Sequence, residues 1–340
     1  MAKNVKLADI AEKMGVSVVT VSKALSGQKG VSEEMRAKIM ELADELGYVQ
    51  PSVARKRAMN TTYNIGVIIQ ESYLDKFSSF YWQMYQQVAQ YSLERGCFCF
   101  LEVITDQMEA QMQAPKLMSD SKTDGIIIIG NLRENYLEKI TTETNLPIIF
   151  MDFMDKKKGE DAVISDSFYG AYFLTNYLIE MGHKDIAYVG TLGATGSITD
   201  RFLGYSKSLL EHDIAVNNDW IIADRDKNTG NIDEINKLVL PEKMPTAFFC
   251  NCDLTAGILI KKLEKLGYKI PEDVSVVGYD NYIYPGLCDV EITSYEVNFA
   301  EMARRVVENL VKKISKEYYS HGTHIVEGRL VIKKSVKKLN

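Results

Sequence analysis

Five cysteines, four histidines and one glycine-rich loop are the places where this 340-residue chain could carry reaction chemistry. Cys97-x-Cys99 and Cys250-x-Cys252 each lie in an apolar run, so both thiols of a pair point to one face of a strand. Cys288 stands alone. A zinc site would need Cys-x-x-Cys spacing and a nearby histidine, so reduced, mostly buried thiols are the expectation. His183, His212, His321 and His324 form neither a metal pattern nor a triad. The loop Gly190-Thr191-Leu192-Gly193-Ala194-Thr195-Gly196-Ser197 follows a strand-like run. It lacks a Walker lysine and the spacing of a dinucleotide fingerprint. The residues thus predict no enzyme, no metal and no cofactor.

Binding chemistry is written more clearly, at the start. In VKLADIAEKMGVSVVTVSKALSG the apolar residues Leu7, Ile10, Ala11 and Met14 recur at helical spacing until Gly15. A second short helix restarts after Ser17 with Val21, Ala24 and Leu25 inward. Two short helices joined by a glycine-containing turn make a helix-turn-helix, whose second helix enters the DNA major groove. Ser32 then caps a third helix with its stripe Met35, Ile39, Leu42, Ala43 and Leu46, closed by Gly47. The sequence divides into a head over 1–48, a hinge over 49–62 and a body over 63–340. Charge follows this division: the net charge is −6, yet residues 1–60 carry ten Lys or Arg against seven Asp or Glu. A basic head on an acidic body suits a phosphate backbone at one end only.

From Ile65 onward, short apolar runs (Ile65–Ile69, Phe98–Val103, Ile126–Ile129, Ile148–Met151, Ile186–Val189, Ala247–Cys250, Val274–Val277) alternate with amphipathic segments such as Trp82–Arg95, Ala171–Met181, Arg201–His212 and Leu254–Leu266. That alternation predicts parallel sheets covered on both faces, with too many units for one sheet. No run approaches the ~20 apolar residues of a membrane span, and no secretory signal is visible. A cytoplasmic, nucleoid-associated protein without a membrane partner is expected.

The head, VKLADIAEKMGVSVVTVSKALSG followed by GVSEEMRAKIMELADELGY, resembles that of the lactose-repressor (LacI/GalR) family of bacterial transcription regulators. In the body, NYLIEMGHKDIAYVG, DRFLGYSKSL, PTAFFCNCDLTAGILI and LGYKIPEDVSVVGYDN extend the resemblance, and through it to periplasmic sugar-binding proteins. It implies an all-α helix-turn-helix head and an α/β body of two parallel-sheet subdomains. The N-subdomain is expected at about 63–163 and 293–323, the C-subdomain at about 164–292 and 324–340.

On the recognition helix the resemblance assigns base reading to Val18, Val19 and Lys23. Lysine can donate to guanine O6 and N7, and valines can meet thymine methyls. The family more often has Arg at position 23, and Lys lacks its bidentate fork. Ser17, Thr20 and Ser22 suit phosphate contacts, Ser17 serving equally as a helix cap; Ser26 and Tyr48 join the DNA-facing set by resemblance. In the hinge, Ala54 and Arg55 match the family, but Arg57 stands where relatives carry a leucine wedge. An arginine there favours a narrow, A·T-rich minor groove over a kinked step. The implied partners are a double-stranded operator, a second copy of the chain and a sugar-like effector in the cleft between subdomains. Effector residues carried over are Phe80 for stacking, with Asp166, Arg201, Asp253 and Asp280. Cys252 replaces a usual asparagine. Arg225, near where some relatives place a tryptophan, would suit an acidic or phosphorylated sugar, a neutral sugar being the default.

Overall fold

The computed structural model describes residues 6–25, 30–45, 62–74, 80–119, 122–155, 161–227, 232, 238–282, 284 and 286–339. Ser26, Tyr48, Ala54, Arg55 and Arg57 lie outside them. By its contacts the chain divides into two units, Met1–Thr62 and Tyr63–Asn340.

The first unit holds α1 (Leu7–Met14), α2 (Val18–Leu25) and α3 (Glu33–Glu45). Gly15, at φ +66°, closes α1 in the left-handed region that a side chain disfavours. Ser17 caps α2, its Oγ accepting from the Thr20 amide at 3.1 Å. Ile10, Ala11, Val21, Ala24, Ile39 and Ala43 form the buried centre of the three helices. Arg36 on α3 donates to the Ala24 carbonyl at 3.0 Å, satisfying an end carbonyl of α2.

The second unit contains two six-stranded sheets. One comprises β1 (Asn64–Gln70), β2 (Phe98–Ile104), β3 (Gly125–Ile129), β4 (Ile148–Met151), β5 (Ala162–Ser165) and β11 (Thr323–Val326), in the order β11-β5-β4-β3-β1-β2, every pairing parallel. The other comprises β6 (Ile186–Val189), β7 (Ile221–Ile222), β8 (Ala247–Cys250), β9 (Ser275–Asp280), β10 (Thr293–Glu296) and β12 (Arg329–Val331), in the order β12-β10-β9-β8-β6-β7. Only β12 runs antiparallel. The central strands are buried along their whole length, as a sheet covered on both faces requires. The main covering helices are α4 (Phe80–Glu94), α5 (Asp106–Ala110), α6 (Lys116–Ser119), α7 (Glu134–Thr142), α8 (Ser167–Glu180), α9 (Gly196–Glu211), α10 (Asp253–Lys265) and α11 (Phe299–Ile314). Among the described residues, no helix is long and apolar enough to cross a membrane.

The chain crosses between the sheets three times, after β5, after β10 and after β11. Two of these crossings differ from the expected boundaries. β10 begins at Thr293, where the N-subdomain was expected to resume, yet it pairs with β9 from Val277 to Asp280 and belongs to the C-subdomain. β11 extends the N-subdomain to Val326, beyond 323, by pairing with β5. The polar run Thr-Ser-Tyr-Glu of β10 conceals a strand whose burial comes from its neighbours. α8 and α9 cross closely because Gly204 has no side chain: a Cβ there would lie 2.0 Å from the Phe168 carbonyl oxygen. The C-terminal segment is tied down. Buried His183 bonds Thr246 Oγ1 at 3.0 Å and the Lys337 carbonyl at 3.1 Å, and Ser335 bonds the Val276 carbonyl.

Candidate functional site

On α2, inward Val21 and Ala24 leave Val18 (45% exposed), Val19 (63%), Ser22 and Lys23 on the opposite face, with Thr20 half-buried. The Ser17 hydroxyl is already engaged by the Thr20 amide and hydroxyl, so capping is its observed role.

In the second unit the polar groups gather at the C-terminal ends of the strands, the ligand-binding end of α/β sheets. Asp280 ends β9 and Arg201 lies one turn into α9. Arg201 Nη2 is 3.3 Å from Asp280 Oδ1, its guanidinium sits 3.7 Å above the Tyr279 ring, and Nη1 donates to the Asn251 carbonyl at 2.5 Å. Both side chains are about 95% buried, and Arg201 Nε and Asp280 Oδ1 complete no hydrogen bond. Buried donors and acceptors left in that state cost about 1–3 kcal/mol each, and a ligand would satisfy them. Asp152, following β4 of the other sheet, lies near enough to Tyr81 and Arg201 for both to act on its carboxyl. The cluster therefore joins the two subdomains. Asp152 (φ +68°), Asp280 (φ +101°) and Asn281 (φ +50°) all hold left-handed backbone, a strain that gathers at binding sites.

The other expected residues divide. Arg225 lies beside the cluster, but Asp224 grips it, and its Nη2 reaches Asn251 Oδ1 at 3.0 Å and Cys252 Sγ at 3.5 Å. Asp224 also accepts from Thr191, Asn251 and Thr255. Asp253 spends both oxygens on the Ser294 hydroxyl and the Tyr282 amide, bracing β10 and the loop after β9. Asp166 caps α8 through the Tyr169 amide. Phe80 is buried edge-on against Phe299 (4.9 Å) and Tyr81 (5.2 Å), a core contact. The ring beside the carboxylate is its neighbour Tyr81, which packs on Tyr73 at 4.3 Å. Sequence reading missed Asp152, Tyr81, Asp224 and Asn251. An acid just after an apolar strand, the signal used for Asp280, also marks Asp152.

Burial raises the Asp280 carboxyl to about 7, with Asp152 adding to the rise and Arg201 opposing it. Burial raises Asp152 to about 6 against the pull of Arg201. Asp253 is raised in the same direction, by burial and by Asp280. The folded protein thus holds protons that the unfolded chain has released above about pH 4, so stability falls as pH rises through 7. Burial lowers His183, which reverses the sign only below its unfolded value of about 6.5. Between pH 6.5 and 8 the denaturation free energy is expected to drop by about 1 kcal/mol or more. Urea titrations would check this, and Asp280→Asn should flatten the slope.

Comparison with known proteins supplies the context. Residues 6–51 match the model of bacterial regulatory proteins of the lacI family, and 175–336 match a periplasmic binding protein-like domain. The HTH-type transcriptional repressor PurR of Vibrio campbellii is 28% identical over 333 residues, covering 98% of both chains. That of Histophilus somni is 29% identical over 333 residues, covering 97% of this chain and 98% of its own. The CelR–cellobiose complex superposes with a TM-score of 0.68 at 20% identity, covering 97% of this chain and 99% of the other. The Lac repressor dimer bound to operator and the anti-inducer ONPF superposes at 0.65 and 22%, covering 98% and 100%. With a helix-turn-helix whose outer face is exposed and a two-sheet body with a buried charged cluster, the chain is similar to the lacI family of bacterial regulatory proteins in its head, to periplasmic binding protein-like domains in its body, and to PurR repressors along nearly its whole length.

Proposed function

We propose that this DNA-binding transcriptional regulator is a homodimeric repressor whose operator affinity is set by a small sugar-like effector bound at Arg201, Asp280 and Asp152. The observation that carries the reading is the buried, incompletely bonded Arg201–Asp280 pair, on which the charge of Asp152 from the other subdomain also acts. A vicinal diol bridges such groups, since each hydroxyl both donates and accepts. Closing the cleft on it would reorient the subdomains, and operator affinity changes only by the ligand's preference between the two states. Both cleft arginines already have carboxylate partners, which favours a neutral over an acidic or phosphorylated sugar. Isothermal titration with neutral, acidic and phosphorylated sugars tests this; binding confined to anions would overturn it. The lines supporting repression are the head and the relatives named as repressors.

Base reading rests on Val18, Val19 and Lys23. Lys23→Ala is expected to abolish discrimination between selected and random duplexes while leaving salt-sensitive background binding, as measured by fluorescence anisotropy. The dimer face is proposed on α4 and the edge strand β2, where Trp82, Phe98 and Phe100 are 42%, 57% and 46% exposed. Phe100→Glu should convert the dimer to monomer at micromolar concentration in sedimentation analysis, with unchanged circular dichroism.

A further inference from the structure

A cavity of about 570 Å³ opens between α8 and β12, and it is not built from the Arg201 cluster. Its walls include Asp166 and Glu327, which lie on two of the three chain crossings, and Tyr295, just before the third. The apolar side is aromatic: Tyr169 and Phe173, each 49% exposed, present ring surface that no core contact consumes, beside Tyr295 at 3%. The polar side is acidic. Among the described residues, Asp166, Glu180 and Glu327 form no ion pair, and the one lining arginine, Arg329, is engaged by Glu296. Among the described residues the Asp166 side chain accepts only the Tyr169 amide. Buried Tyr295 receives the Gly328 amide at 2.9 Å, and its own hydroxyl proton meets no acceptor among the described residues.

From this cavity we infer a second ligand site, at the hinge between the subdomains, for a small organic cation: an amine or amidine on an apolar body. The carboxylates supply charge, and the aromatic faces supply cation–π attraction and area, while a neutral ring gains only the area. Repulsion between Asp166 and Glu327, which joins burial in holding the Asp166 carboxyl above its ordinary value, is relieved by a cation and not by a neutral ligand. A volume of this size falls within the range of small-molecule sites.

Benzamidinium and its neutral isostere benzamide are suitable probes, titrated into the full chain and followed by ligand-observed NMR. Benzamidinium is expected to bind at least tenfold more tightly than benzamide. Glu327→Gln, at an exposed position, should weaken benzamidinium at least fivefold and leave benzamide unchanged; Phe173→Ala should weaken both. Asp152→Asn should leave both titrations as they were. Equal affinity of the two probes, indifference to Glu327→Gln and Phe173→Ala, or loss of binding in Asp152→Asn would each overturn the site, the last by placing the cation in the effector cleft.

Discussion

Arg201→Met is expected to lower effector affinity at least 100-fold in isothermal titration while operator binding without effector persists. Among the described residues the guanidinium is the cation that pairs with Asp280 and stacks on Tyr279, and its charge acts on Asp152 of the opposite sheet. Charge-assisted hydrogen bonds contribute about 1.5–3 kcal/mol each, so losing two to a bound diol reaches the stated range. Methionine keeps much of the volume, so packing on Tyr279 survives. The carboxylates lose their cation and rise further in pKa, which moves any remaining binding to lower pH. Arg201→Lys should restore part of the affinity without the planar stacking. Full affinity in Arg201→Met would remove this residue, and with it the proposed cluster, from effector binding.

Asp224→Ala is expected to destabilise the second unit by about 3–5 kcal/mol, the usual cost of breaking a buried charge pair by removing one member. Asp224 has no exposed side-chain surface and Arg225 only 13%. Five donor groups converge on Asp224, from Thr191 (amide and hydroxyl), Arg225, Asn251 and Thr255, linking the ends of β6, β7 and β8. Alanine removes the acceptor they share and leaves Arg225 without its carboxylate. Thermal unfolding would show the loss, while the first unit, which has its own buried centre, should keep its transition. Asp224→Asn should fall between, since it preserves shape and an acceptor but not charge.

Runs such as Ile65–Ile69 and Ile126–Ile129 announced their strands because burial on both faces demands continuous apolar residues. β10, β11 and β12 were illegible for the opposite reason: Thr-Ser-Tyr-Glu, Thr-His-Ile-Val and Arg-Leu-Val become strands through partners distant in sequence. The site shows the same division. Asp280 and Arg201 could be placed from strand ends and resemblance, and the structure brings them together. Asp253 looked equally suitable, but its reach to Ser294 depends on Gly278 leaving space across the sheet, a relation between strands that no local pattern carries. Phe80 is a buried core residue in the structure. Helical geometry turns it inward onto Phe299, while the adjacent Tyr81 is the ring that packs on Tyr73 and is influenced by Asp152.

The three crossings also set a timetable for synthesis. The described core of the helical head closes within the stretch from Leu7 to Glu45. Neither sheet of the body can be completed until Thr323–Val326 and Arg329–Val331 have been made, because each sheet takes an edge strand from the far end of the chain. At ~5–20 residues per second, that interval is roughly 15–60 s. Through it the nascent protein holds a finished DNA-reading module beside two unfinished sensors, each with an unpaired edge. Completion then depends on distant pairings, which close slowly. A ribosome that stops early therefore releases a reader without a receiver.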